Sequence, residues 1–234
     1  MRVIFVHGAV VTDSAWWWQR MRQPLGAHGF SSVAVELPSC STSGGDLHAD
    51  GDAVQAVLDE SDEPAVLVGH SYGGMVITDA GAHPAVRHLV YVTAGLPETG
   101  QSLAALADPE SPGWLEPTGD DDRLAVRADL SEEDFHVHFT ADCDEDAARG
   151  ARARLVPQSS AALAQPPRAV AWHSLPSTFV LCTHDQATAP AVQASWATRA
   201  GQLVEIPTGH HPFLSQPQRL ADIIANAVAG DSHS

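Results

Sequence analysis

Positive charge is scarce in this sequence: its 234 residues carry 12 Lys and Arg against 29 Asp and Glu, a formal net charge of −17 at pH 7. Nucleic acid and anionic membrane surfaces repel such a chain, so neither is expected as a partner. Cysteine is scarcer still. The three present, Cys40, Cys143 and Cys182, are odd in number, widely spaced and without a C-x-x-C pair, which argues against a disulfide framework and the usual zinc or redox patterns. They read as reduced thiols in a cytoplasmic protein. No apolar stretch is long enough to cross a bilayer, no secretory signal precedes the first strand-like run, and there are no internal repeats.

What is present is 44% hydrophobic residues, enough for a sizeable core in one domain or in one domain with an insertion. Short runs rich in Val, Ile and Leu recur at 3–6, 33–37, 65–68, 88–93, 178–182 and 202–206. Apolar on both faces, they predict buried parallel strands. Helical spacing occupies 15–28, 47–59, 72–82, 190–200 and 217–229, where Leu220, Ile223, Ile224 and Ala227 share a face and Pro217 suits a helix start. Strand alternating with helix predicts an α/β fold with a mostly parallel, doubly wound sheet.

The alternation fails over residues 98–173, which hold the acidic, proline-rich stretch DPESPGWLEPTGDDD at 108–122 and helical patterns near 131–139 and 144–155. A disordered linker would have little to bury, whereas this segment carries Trp114, Phe135, Phe139, Leu155 and Trp172. It predicts a helical cap at 98–173 inserted into a core made of 1–97 and 174–234. Only the tail GDSHS reads as frayed.

The segment VLVGHSYGGM at 66–75 places G-x-S-x-G where a buried strand should hand over to a helix. That context makes Ser71 a candidate nucleophile on a strained corner, with Gly69 and Gly73 where a Cβ would collide. At the start of the following helix the Tyr72 N–H lacks an intrahelical partner and can meet developing negative charge. A partner acid and base follow in the order this architecture requires: Asp185 after the strand TFVLC, then His210 and His211 after QLVEI. Among 29 acidic residues a loop carboxylate is unremarkable by itself. Asp185 and His210 are the candidate acid and base, and spacing alone leaves His211 open as the competing base. After the first strand, His7-Gly8 turns at the same edge and the Ala9 N–H is the candidate second oxyanion donor. His7, His70 and His184 read as structural or pocket-lining. Trp16, Trp17 and Trp18 cannot all face inward on one helix, so at least one of them lines the pocket or packs under the cap. Trp16 is taken as the lining ring, together with Trp114 of the cap.

With these residues in view, the chain resembles the α/β-hydrolases, and more narrowly the branch holding plant methyl esterases and α-hydroxynitrile lyases. The carriers are FVHGA at 5–9 with AWWW at 15–18, VLVGHSYGGM at 66–75, YVTAGLP at 91–97, CTHDQATAP at 182–190 and GHHPFLSQP at 209–217. The resemblance implies a triad of Ser71, His210 and Asp185, an oxyanion hole from Ala9 and Tyr72, and a cap over the substrate between Leu96 and Trp172. It also separates the branches. Hydroxynitrile lyases of this group carry Thr after the first-strand His and Lys after the triad His, where this chain has Gly8 and His211. Gly8 agrees with the esterases; His211 departs from both, since the esterases usually have Met, and is expected to contact substrate.

The expectation is therefore a serine carboxylic-ester hydrolase with no cofactor and no catalytic metal, acting on a methyl-type or aryl ester. Its rivals are a lyase using the same triad for proton transfer and a low-turnover ligand-binding receptor. A homodimer stays open.

Overall fold

The computed structural model describes residues 1–107, 113–119 and 122–231, Asp231 in its backbone alone. Part of the acidic stretch at 108–122 and most of the tail GDSHS lie outside the described residues. Six strands, β1 (Arg2–Val6), β2 (Ser31–Val35), β3 (Ala65–His70), β4 (Val86–Val92), β8 (Ser177–Cys182) and β9 (Gln202–Ile206), form one sheet in the order β2-β1-β3-β4-β8-β9. Every neighbouring pair is parallel. Each was expected within a few residues of where it lies. The central strands β3 and β8 are buried at every position, because helices cover both faces. The edge strands are wetter: Leu203 on β9 is 50% exposed, so the expectation of full burial fails at the sheet margins.

One core lies on each face of the sheet. The first joins Ile4, Leu67 and Leu89 to the helices Leu47–Asp59 and Gly73–Ala80. Asp46 caps the former by accepting from Ala49 N at 2.9 Å, which satisfies an otherwise unpaired donor. The second core joins Phe5, Val66 and Val90 to Trp18 and to the last helix, Pro217–Asp231, whose Leu220, Ala221 and Ile224 are fully buried. Trp18 stacks on Phe5 with centroids 4.2 Å apart. Among the described residues no helix is long and apolar enough to cross a membrane.

Two expectations need correction. The helix expected over 15–28 is three pieces, Ser14–Trp17, a 3-10 turn Gln19–Met21 and Arg22–Ala27. Pro24 sits in the first turn of Arg22–Ala27, where it has no N–H to donate to the preceding turn and its ring crowds that turn's carbonyl, so this helix starts afresh instead of continuing the one before. The insertion is also not purely helical. Besides Glu132–Phe135, which a π-helical turn continues through Thr140, and Glu145–Arg152, it holds an antiparallel sheet of β5 (Leu115–Pro117), β6 (Arg123–Val126) and β7 (Gln158–Ser159).

That small sheet leads into the loop after β1. Val11 bridges Leu155, Val156 N donates to Val10 O at 2.8 Å, and Thr12 N donates to Arg154 O at 3.0 Å. Residues 154–158 thus pair with the loop that follows His7.

The three cysteines are free thiols. Burial pushes Cys40 and Cys143 up to about 12 and Cys182 further in the same direction. At pH 8 a thiol with a pKa of about 12 is ionised to roughly one part in 10⁴, and the thiolate is the reactive form. Ellman's reagent is therefore expected to leave the native protein unreacted for minutes at pH 8 and to titrate three thiols once it is denatured. Prompt release from folded protein would contradict this burial.

Candidate active site

Because the sheet is parallel, the loops after β1, β3, β8 and β9 all leave from one edge, where open α/β sheets gather their ligands. Ser71, directly after β3, has φ +52°, a left-handed conformation that costs a residue with a Cβ about 1–2 kcal/mol. The glycines around it make the corner possible. A Cβ on Gly69 would lie 2.5 Å from Gly73 O, and one on Gly73 would lie 2.5 Å from Val6 O. Tyr72 is the N-cap of Gly73–Ala80, so its N–H stands ahead of the helix's internal hydrogen bonds.

Asp185 is buried and accepts from five donors. Its Oδ1 takes Ala187 N at 2.8 Å and Thr188 N at 2.9 Å; its Oδ2 takes Thr93 Oγ1 at 2.6 Å, His210 Nδ1 at 2.8 Å and Gln193 Nε2 at 3.1 Å. Burial pushes its carboxyl up, but the attraction of His210 and these hydrogen bonds outweigh burial and hold it below the usual carboxylate range. An ionised Asp185 leaves His210 one role at Nδ1, as donor. In a neutral imidazole with its proton on Nδ1, the second ring nitrogen is an acceptor.

A cavity of about 170 Å³ opens over this pair, and Ser71, His210, Gly8, Ala9, Trp114 and His211 all line it. The contact seen directly is that of Asp185 with His210; Ser71 joins His210 in the wall of the same cavity. Its remaining surface is mostly apolar, from Trp17, Leu103, Phe135, Phe139 and Leu163 among others. A Cβ on Gly8 would lie 3.0 Å from His70 Nδ1 and 3.2 Å from Ser71 Cβ, so the smallest side chain keeps this corner open.

The other histidines near the strand ends separate by partner. His7 donates from Nδ1 to Gly8 O at 2.8 Å and accepts Leu37 N on Nε2 at 3.3 Å, with burial lowering its pKa to about 4. It is a neutral brace for the turn. His70 donates from Nε2 to His210 O at 2.9 Å, and burial holds it well below the ordinary imidazole value. His211 donates from Nδ1 to Phe139 O at 2.7 Å, and burial lowers it to about 3. His184 is exposed.

Trp16 is not on the cavity wall. It packs against Gly150 of the insertion with the Arg154 guanidinium 4.1 Å over its ring. Trp17 takes the expected place, stacked on His211 at 5.2 Å. Successive helical residues turn about 100° apart, so the neighbouring ring reaches the other side. Sequence reasoning assigned no role to Thr93 or Gln193. Thr93 closes β4 at the ligand edge with φ +41°, and that position was the available signal.

Tyr72 turns its ring away from the cavity. Its hydroxyl donates to Asp50 Oδ2 at 2.6 Å, which also accepts Ser39 Oγ at 2.6 Å; Gln158 Nε2 donates to Ser39 Oγ at 2.9 Å, and Gln158 Oε1 accepts Val10 N at 2.9 Å. One buried network thereby ties the corner after Ser71 to the loop carrying Ala9. Val10 itself has φ +55°.

Residues 3–223 match the model of the alpha/beta hydrolase family. The chain belongs to that family. It is 28% identical over 217 residues to an alpha/beta hydrolase of Aspergillus novofumigatus, covering 85% of this chain and 86% of the other. In three dimensions this hydrolase is similar to a pyrethroid hydrolase from Sphingobium faniae JZ-2, with TM-score 0.85, 22% identity, and 100% and 99% of the two chains covered. It is also similar to the methylesterase MES16 from Arabidopsis, with TM-score 0.79, 21% identity, and 98% and 99% covered. At these identities the likeness is one of fold.

Proposed function

We propose that this alpha/beta hydrolase is a cofactor-free serine esterase acting on esters of small alcohols, or on aryl esters, with an apolar or aromatic acyl part. The observation that carries the reading is the buried Asp185–His210 pair, 2.8 Å apart, beneath a cavity whose wall also holds Ser71. Catalytic hydrogen bonds commonly tighten only with substrate in place, and here that step brings the Ser71 hydroxyl onto the acceptor nitrogen of His210. His210 takes the serine proton as the oxygen attacks the ester carbonyl. The oxyanion rests on the N–H groups of Ala9 and Tyr72, each worth on the order of 3 kcal/mol of barrier. His210 returns the proton to the departing alcohol, leaving an acyl-enzyme. It then deprotonates the water that attacks the acyl carbon, and gives that proton back to Ser71 as the acid leaves. Residues 98–173 act as the cap that supplies Trp114, Phe135 and Phe139 to the acyl side.

Small-ester chemistry fits the neighbours, which are a pyrethroid hydrolase and a methylesterase. A cyanohydrin lyase needs a cation to hold the departing cyanide, and the ring in that place, His211, is kept neutral by burial. The test is a fluorophosphonate probe together with a panel of methyl, p-nitrophenyl and cyanohydrin substrates. Labelling of Ser71 and turnover of short esters without cyanide release from mandelonitrile is expected. Cyanide release without ester turnover assigns a lyase; an unlabelled Ser71 in folded protein assigns a binding protein.

A further inference from the structure

Three imidazoles meet at the floor of the cavity, and each has spent one N–H on an oxygen. His70 donates to the His210 carbonyl at 2.9 Å, His210 to the Asp185 carboxylate at 2.8 Å, and His211 to the Phe139 carbonyl at 2.7 Å. With one N–H so used, each ring in its neutral form has one lone pair left to offer. One ring nitrogen from each residue lies within 4.8 Å of the others, and the ring centroids are 4.6 Å (His70–His210), 5.0 Å (His70–His211) and 5.0 Å (His210–His211) apart. Histidines that ligate metals commonly have their other ring N–H held by a carbonyl or carboxylate that fixes the tautomer, and each of these three rings has such a partner.

We propose that His70, His210 and His211 form a binding site for a borderline divalent ion, zinc first, and that its occupation inhibits the hydrolase. The donor set selects the class. Neutral imidazoles suit zinc, copper and nickel, whereas magnesium and calcium require oxygen ligands. A zinc ion with bonds of about 2.0–2.1 Å needs its nitrogens about 3.4 Å apart, so the rings close by up to roughly 1.4 Å on the side where they border the cavity rather than packed chain. The Asp185 side chain, 2.8 Å from His210 Nδ1, holds that ring from behind. The fourth position faces the cavity and falls to water. The ion takes the lone pair of His210 that the proposed mechanism uses as base, so ion and turnover exclude each other. The inhibition, though not the binding, rests on that mechanism.

Binding is read without turnover in Ser71→Ala protein, titrated calorimetrically with zinc chloride. A site is expected that magnesium chloride does not fill, and adding His211→Met should weaken it about ten-fold or more. The exposed pair His28–Asp222 can also collect zinc, and His28→Ala should leave the site in question unchanged. Cobalt chloride added to the parent protein gives a check that needs no variant: intense visible bands of a tetrahedral ion, removed by EDTA. In the ester assay the same zinc range should abolish turnover, and EDTA should restore it. An unchanged zinc isotherm in the His211→Met background, or a cobalt spectrum no stronger than that of the aqueous ion, overturns the site. Zinc binding in a protein that hydrolyses no ester leaves the site standing and removes only the esterase reading.

Discussion

Ser71→Ala is expected to lower kcat by about 10⁵- to 10⁶-fold, some 7–8 kcal/mol of barrier, while the protein melts within a few degrees of the parent. The two halves follow from different atoms. The proposed chemistry needs the Ser71 oxygen for the covalent bond, and nothing on the cavity floor replaces it. The corner needs only the Ser71 backbone: its N–H donates to Val92 O at 3.3 Å, and its carbonyl accepts Gly74 N and Gly95 N, both at 3.1 Å. Alanine keeps the same Cβ, so the cost of φ +52° is unchanged. The proposed oxyanion donors are backbone groups and survive, so a residual rate above the uncatalysed one should remain. The measurement is kcat on a short ester with fluorophosphonate labelling and a melting curve on the same samples. Turnover within ten-fold of the parent, with labelling retained, would assign the nucleophile elsewhere.

The sheet was legible because a parallel strand covered on both faces is a continuous apolar run, as β3 and β8 are throughout. The placing of the candidate residues at one edge was legible for a related reason. Parallel strands put all their carboxyl ends at one edge, so the loop after each strand is a short list of candidates, and Ser71, Asp185 and His210 each stand in such a loop. The strands β5, β6 and β7 were not legible, since two to four residues are too few to show an alternation, and each is held by its partner rather than by its own pattern. Nor was Gln158, which meets Val10 across 148 residues of chain; a lone polar residue in a cap acquires its role only by tertiary approach. The run of three tryptophans gave the right neighbourhood and the wrong ring, because the break before Arg22–Ala27 hides which side each one faces.

Asp185→Asn should cost about 10⁴-fold in kcat, with a loss of stability that Ser71→Ala does not show. Every contact of the carboxylate is with a donor: two backbone N–H groups on Oδ1, and Thr93, His210 and Gln193 on Oδ2. An asparagine must place its NH₂ against one of these sets. Toward Oδ1 it faces the N–H groups of Ala187 and Thr188, which cannot turn away. Toward Oδ2 it makes His210 accept on Nδ1, which moves the ring proton to the nitrogen that should receive the serine proton. The second arrangement disables the base, and both leave buried donors unsatisfied at about 1–3 kcal/mol. The stability gap should depend on pH with a fixed sign. A carboxyl held below its ordinary value contributes fully above about pH 4 and loses that contribution as pH falls through the folded value, so parent and variant should converge in melting temperature at low pH. Thermal scans between pH 3 and 7, paired with kcat on a methyl ester, check both parts. An Asn variant at parental rate would mean that another carboxylate orients His210; a gap that widens as pH falls would mean that Asp185 is protonated in the native fold.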